Sequence, residues 1–503
     1  MFDYHALLPE LILGATLLAV LGVELVVGED RKYLAGVVGL VGVIAAMVPL
    51  LTLAGCRELF GCASETRVMF GGSYAVDQFA LVLKGLFLIG GAVTLLLSVG
   101  YLESDRYYQG EFYFLILASV TGAVVMASSR DLLTMFVGLE LVSAPAFLLA
   151  GWRKGDLRSN EASLKFFLMG VLSAAILLFG MSLVYGITGE LTFAGIAGVI
   201  ASSNLAAEPI LALGVIFVLA GFGFKISAVP FHFWAPDTYQ GAPTPVAAYL
   251  SVGSKAAGFV GLLTVCYLAF ADAREVWGPV LWVLAALSMT VGNLTALRQT
   301  NVVRLLGFSS VAQAGFILVP FAMAAVLEGD ALGDAFFASI TYLLVYAFMN
   351  LGAFGAVIAA MAKTKSAEMD HWAGLNRYAP GVAVLLGVFF LSLAGIPPLA
   401  GWFAKFVMFR AVLSAGGSWG VVLAAVAAVN SVVALFYYAR VVKTVFMDPV
   451  PESVSVDEAA SRPLSRPLLV ALGITAVVVV VAGFFPQVLA FFGEAGKTLA
   501  VGP

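Results

Sequence analysis

Runs of about twenty apolar residues recur from one end of the chain to the other, each long enough to cross roughly 30 Å of hydrocarbon as a helix. Nothing else in the sequence constrains the fold so strongly. Of 503 residues, 62% are hydrophobic and only 11% charged, with a mean hydropathy of +1.03. Soluble domains carry about 25% charged residues, so a soluble globular fold is excluded. A transmembrane barrel would show ten-residue alternating segments instead. An all-α polytopic membrane protein is expected, with about fourteen spans at residues 7–27, 33–54, 77–100, 111–128, 132–151, 162–186, 208–229, 244–270, 278–297, 302–326, 335–362, 380–413, 418–447 and 467–491.

The N-terminus, MFDYHALLPELILGA, has no basic n-region and no small-residue cleavage site, so the first apolar run reads as a retained span. Fifteen basic residues fall in one set of loops and five in the other, which puts the first set in the cytoplasm and both termini outside. The segment 189–207 is weakly amphipathic and is expected along the membrane surface. Asp448 to Pro467 is polar and proline-rich, a cytoplasmic loop on the same assignment. The net charge of −4 offers no basic face, so no nucleic-acid partner is expected. Cys266 lies in an apolar run and reads as packing. Cys56 and Cys62 enclose a short turn on the outer side, where oxidation to a disulfide is expected. No cysteine or histidine cluster has metal spacing.

The stretch Phe222 to Lys255, FGFKISAVPFHFWAPDTYQGAPTPVAAYLSVGSK, breaks the pattern. An apolar run reaches Lys225, meets Pro230 and His232, and passes through a polar turn into a second run that carries Lys255. A lysine in hydrocarbon costs several kcal/mol unless it faces protein or water, and a proline there frees a carbonyl that must be satisfied. The run from Val382 to Leu413 is broken in the same way by GIPPLAGWFAK, with Lys405 just beyond the prolines. Corresponding interruptions in two halves point to an inverted repeat with a transport site. Glu140, in the middle of its span, is the acid at comparable depth.

Burial disfavours a charged lysine and a nearby carboxylate favours it. A lysine whose carboxylate approaches and retreats therefore takes up and releases a proton. Glu140, Lys225, Lys255 and Lys405 are the candidates for such a relay. His232 suits a relay by its titration range, or is an imidazole satisfied by backbone. Lys165 stands a few residues from a charged turn and either joins the relay or snorkels to the interface; Lys84 is expected to snorkel. Asp237, Tyr239 and Gln240 read as structural caps of the turn, and His5 and His371 as solvated.

Four segments, FKISAVPFHFWAPDTYQGAPTPVAAYLSVGSKAAGF, LLGFSSVAQAGF, YLLVYAFMNLGAF and GIPPLAGWFAKF, together resemble the antiporter-like N subunits of bacterial respiratory complex I. YQGAPTP followed by SK favours the N type over its sister subunits and over Mrp-type antiporters. The resemblance implies an N-terminal three-helix segment (1–110), two inverted five-helix repeats (111–270 and 278–447), each with a broken helix, and a loop with a last helix (448–503). It implies a hydrated proton relay through Glu140, Lys165, Lys225, Lys255 and Lys405, with His232 beside the break. It also implies a bacterial inner-membrane location beside a sister antiporter-like subunit and small membrane subunits. Quinone, NADH, FMN and iron–sulfur clusters then belong to partner subunits, with no cofactor in this chain. Where many relatives carry histidine, this chain has Gln313, which can hold a water but not carry a proton. Two other readings of the same residues are a chain of a multi-subunit Na⁺/H⁺ antiporter and a structural membrane-arm subunit with no proton path of its own.

Overall fold

The computed structural model describes residues 3–28, 31–59, 66–103, 110–203, 205–452 and 454–497. The expected Cys56–Cys62 pairing lies outside the described residues. The helices are α1 (Tyr4–Val26), α2 (Tyr33–Leu59), α3 (Gln78–Glu103), α4 (Glu111–Ser128), α5 (Leu132–Ala150), α6 (Leu157–Thr188), α7 (Phe193–Ser202), α8 (Pro209–Lys225), α9 (Trp234–Gly241), α10 (Thr244–Ala269), α11 (Arg274–Ala296), α12 (Val302–Met323), α13 (Gly329–Thr364), α14 (Pro380–Ala394), α15 (Gly401–Ser414), α16 (Gly417–Met447), α17 (Val456–Ser461), α18 (Arg466–Phe484) and α19 (Gln487–Gly496). A small antiparallel hairpin, β1 (Arg67–Met69) and β2 (Tyr74–Val76), pairs Arg67 with Val76 ahead of α3.

Among the described residues, twelve helices are long and apolar enough to cross a membrane. Two further spans are broken. α8 stops at Lys225 and the chain resumes as α9; α14 stops at Ala394 and resumes as α15. Pro230 and the pair Pro397–Pro398 sit in these gaps, where missing N–H groups and ring clashes end an α-helix. Gly395 closes α14 at φ 89°, a left-handed cap that favours glycine. The protein is thus the expected all-α polytopic membrane protein with broken helices. α10, α12 and α13 are the most enclosed spans, and α1 and α6 present most of their apolar surface outward.

The same local construction occurs twice. Asp131 caps α5 by accepting from Leu133 N and Thr134 N, and Asn301, 170 residues on, caps α12 by accepting from Arg304 N. Asp131 forms a backbone bridge with Thr192 after α6, and Asn301 one with Glu368 after α13. Gly122 of α4 lies so close to α5 that an added Cβ would stand 2.7 Å from Val142 N and 2.8 Å from Gly138 O. Gly292 of α11 meets Ala312 N at 2.6 Å and Phe308 O at 3.0 Å. These contacts fix the register of α4 on α5 and of α11 on α12 alike. In that register Glu140 corresponds to Ser310, and Ser143 to Gln313.

Lys84 departs from expectation. Rather than snorkelling, it is wholly buried and pairs with Glu10 of α1 at 2.6 Å. Tyr74 Oη donates to the same carboxylate oxygen at 2.6 Å, and Lys84 Nζ reaches Tyr74 Oη at 3.3 Å. The hairpin that carries Tyr74 encloses the lysine, which sequence spacing alone could not show.

Candidate functional site

Lys225 and Lys405 sit beside the two broken helices, and Lys255 follows a π-helical turn of α10. Lys225 is the last residue of α8 and is 4% exposed. Its amine donates to Ser143 Oγ of α5. The rings of Phe147 and Phe224 lie 5.8 and 5.4 Å from that amine, and Gly258 of α10 presses against its Cβ. Glu140 stands one turn before Ser143 on α5, and its charge is the one whose field reaches Lys225. The two form no ion pair within 4.0 Å, and Glu140 Oε1 is buried without a hydrogen-bond partner among the described residues. The amine is thus bonded to Ser143, one turn along α5 from Glu140, rather than to the carboxylate itself.

Lys255 is fully buried, and α10 is locally wound as a π-helix over Leu250–Ser254, just before it. Such turns shift the side chains that follow and recur at functional sites. Its amine donates to Ser310 O at 2.6 Å and Ser310 Oγ at 3.0 Å. One turn back on α10, Ser251 Oγ accepts from Asn350 Nδ2 at 2.7 Å, and the same amide reaches Tyr346 Oη at 3.0 Å. One turn beyond Ser310 is Gln313, which accepts from Tyr342 Oη at 2.8 Å and donates to Leu393 O at 3.2 Å and to Tyr438 Oη at 3.3 Å. Ser309 Oγ and Tyr438 Oη are 2.5 Å apart.

Lys405, on α15, completes this line. Its amine donates to Ala394 O at 2.8 Å, the carbonyl next to the one Gln313 takes, and lies 5.0 Å from the centre of the Phe316 ring. The break in α14–α15 frees those carbonyls, and a glutamine and a lysine satisfy them. In the first break, Trp234 Nε1 plays that part by donating to Phe224 O at 3.1 Å. One face of α12, with Ser310, Gln313 and Phe316 at one-turn spacing, therefore leads from Lys255 to Lys405.

His232 lies in the first break, buried, with Nδ1 unpartnered among the described residues and its ring 4.5 Å from that of Phe233. Lys165 stands apart from the buried set at 44% exposure. It pairs with Glu161 at 2.5 Å and with Asp237 at 2.7 Å. Asp237, expected to cap a turn, instead bridges Lys165 to Arg304 of α12, also at 2.7 Å. Sequence reasoning passed over Ser143, Ser310, Tyr342, Tyr346, Asn350 and Tyr438, since single polar residues in apolar runs give no spacing signal. Among the described residues no group of three or more His, Cys, Asp or Glu could hold a metal ion.

Residues 129–431 match the family described as NADH:quinone oxidoreductase/Mrp antiporter, transmembrane. That range contains Glu140, Lys225, Lys255 and Lys405. NADH-quinone oxidoreductase subunit N 2 of Streptomyces griseus is 43% identical, over 98% of this chain and 93% of that one. The chain belongs to the N-subunit family of NADH-quinone oxidoreductases. A subunit of respiratory complex I from Thermus thermophilus, solved with bound aureothin, superposes with a TM-score of 0.75 at 32% identity, covering 98% of this chain and all of that one. A chain of the Mrp complex from Dietzia superposes at 0.82 with 21% identity, over 99% of this chain and 98% of that one, a likeness of fold alone. As an N-subunit family member, the chain is an antiporter-like membrane subunit, and its relatives are parts of an enzyme complex.

Proposed function

We propose that this chain translocates protons through Glu140, Lys225, Lys255 and Lys405, driven by quinone reduction in partner subunits of the complex. Lys165 is placed at the cytoplasmic mouth and His232 at the first break. The observation that carries this reading is the set of three buried amines bonded only to serine or backbone oxygens. Among the described residues none has a carboxylate within 4.0 Å. A permanent structural charge at that depth would need a counter-ion; an amine that gives and takes a proton needs hydroxyls and carbonyls that serve both its states. The matched pairs Glu140/Ser143 and Ser310/Gln313 support two repeats, 111–270 and 278–447, each presenting its pair near a lysine. In this reading NADH, FMN, iron–sulfur clusters and quinone belong to partners, and sister and small membrane subunits flank the chain.

The test is Lys255→Met in the complete complex reconstituted into vesicles. Methionine keeps the length and apolar stem and removes the proton carrier. Proton uptake should fall to background and quinone-coupled turnover by about tenfold or more. NADH oxidation by an artificial acceptor should be retained. Undiminished uptake in an assembled complex would reject the relay and favour a structural role.

The basic-residue bias supports a bacterial inner-membrane topology with both termini outside and the Asp448–Pro467 loop in the cytoplasm. A cysteine placed at Ser461, on exposed α17, should stay unlabelled by an impermeant thiol reagent in intact cells and react after lysis. Labelling in intact cells would invert the topology.

A further inference from the structure

The short helix α9 has two unlike faces, because positions 237 and 239 stand about 200° apart around a helix. Inward, Tyr239 is fully buried with its hydroxyl unpartnered among the described residues. Its ring lies 6.1 Å from that of Phe354 and touches Gly307 of α12, one turn before Ser310, the acceptor of the Lys255 amine. Outward, Asp237 gives one carboxylate oxygen to Lys165 of α6 and the other to Arg304 of α12, each at 2.7 Å. Arg304 also donates to Gln240 Oε1 at 3.0 Å. Close packing wedges α9 between those same two helices. An added Cβ at Gly241 would lie 2.5 Å from Arg158 O, and one at Gly307 would lie 3.0 Å from Pro236 Cα. The unwound segment 226–233 precedes α9, and Ala242 and Pro243 follow it. It can therefore move as a unit once released.

We propose that Lys165, Asp237 and Arg304 form an ionic latch that holds α9 as a plug over the relay, with Asp237 the positioning residue for proton entry at Lys255. This rests on the relay reading above. Lys165 is the member able to let go. It is half-exposed and already shares its charge with Glu161, one turn away on α6, so leaving Asp237 does not strand it. Exposed pairs of this kind are individually weak, which suits a contact that opens in each cycle. With the latch open, α9 tilts, water reaches the Tyr239 hydroxyl, and a proton can pass towards Ser310 and Lys255. With it closed, Tyr239 shuts that route. Arg304, held also by Gln240, remains as the fixed side of the latch.

The experiment uses the complete complex with Asp237→Asn, which keeps the size of the side chain and removes its charge. Backbone amides of α9 should exchange with deuterium about tenfold faster, as expected for a locally loosened unit, with other spans unchanged. The number of protons moved per quinone reduced should fall about threefold or more, because a plug that no longer closes lets protons leak back, while the quinone KM holds. Asp237→Glu, with charge at a slightly longer reach, should restore most of both. Lys165→Met should shift exchange in the same direction, as a second variant on an exposed side chain. Unchanged exchange in Asp237→Asn overturns the latch, and faster exchange with an unchanged ratio of protons moved to quinone reduced overturns its part in proton entry. In either case a loss of pumping in Lys255→Met would leave the relay standing, so the two readings fail separately.

Discussion

A complete complex carrying Lys225→Ala is expected to lose proton pumping and, with it, about nine-tenths or more of its quinone-coupled turnover. Oxidation of NADH by an artificial acceptor should persist, because that chemistry belongs to partner subunits. The loss is expected on both counts because a stalled relay holds back the redox steps that drive it. Truncating Lys225 also removes the amine bonded to Ser143 Oγ and a charge on which the Glu140 carboxylate acts. An unpaired carboxylate in low dielectric is costly, so the Glu140 side of the relay is disturbed as well. Glu140→Ala should act from the other side, removing the carboxylate that Lys225 works against. Glu140→Asp should retain more activity than Glu140→Ala, since the charge remains on the same helix face. Ser143→Ala should fall between them, because it removes the hydroxyl that holds the amine a turn away from the carboxylate. Proton uptake and quinone reduction in reconstituted vesicles decide the series. Normal pumping by Lys225→Ala in an assembled complex would remove the relay.

The interruptions were legible because proline and lysine are both anomalous in an apolar run. Lys225, Lys255 and Lys405 followed from that, and Glu140 from its depth in an apolar run; Lys225 ends α8 at the first break, Lys405 stands on α15 just past the second, Lys255 lies within α10 and Glu140 within α5. What surrounds them was not legible. Ser143 and Ser310 look like any small residue tolerated in a membrane helix, and only the register of α5 and α12 shows that they face lysines. Gln313 was visible as a departure from histidine in many relatives. Its three hydrogen bonds to Tyr342, Tyr438 and the Leu393 carbonyl show what the glutamine does in this chain. It cannot carry the proton, but it fixes the hydroxyls and the freed carbonyl beside Lys405. Asp237 was misread because its partners lie 72 and 67 residues away in sequence. An ion pair between distant helices leaves no local pattern.

Lys84→Met is expected to destabilise the protein by about 3–5 kcal/mol, the cost of breaking a buried ion pair at one end. Lys84 is completely enclosed, while the Glu10 side chain is 13% exposed. Glu10 Oε1 takes both the Lys84 amine and the Tyr74 hydroxyl, and Oε2 has no partner among the described residues. Removing the amine therefore leaves a carboxylate held by one hydroxyl, between α1, the hairpin and α3. Beside it, Arg130 and Asp77 form a second pair at 2.6 Å, so the neighbouring cation is already engaged and cannot move across to Glu10. The double variant Lys84→Met with Glu10→Gln should recover most of the loss. Methionine fills the lysine channel, and the glutamine carbonyl still accepts from Tyr74, so no charge is left unpaired. Glu10→Leu would be a poorer partner, because it strands the Tyr74 hydroxyl. Thermal unfolding of the purified chain and the yield of assembled complex provide the readouts. A Lys84→Met protein as stable as the parent would mean that the pair contributes nothing to holding α1 against the hairpin and α3. The double variant falling below Lys84→Met alone would show that the carboxylate is stabilised by something other than the lysine.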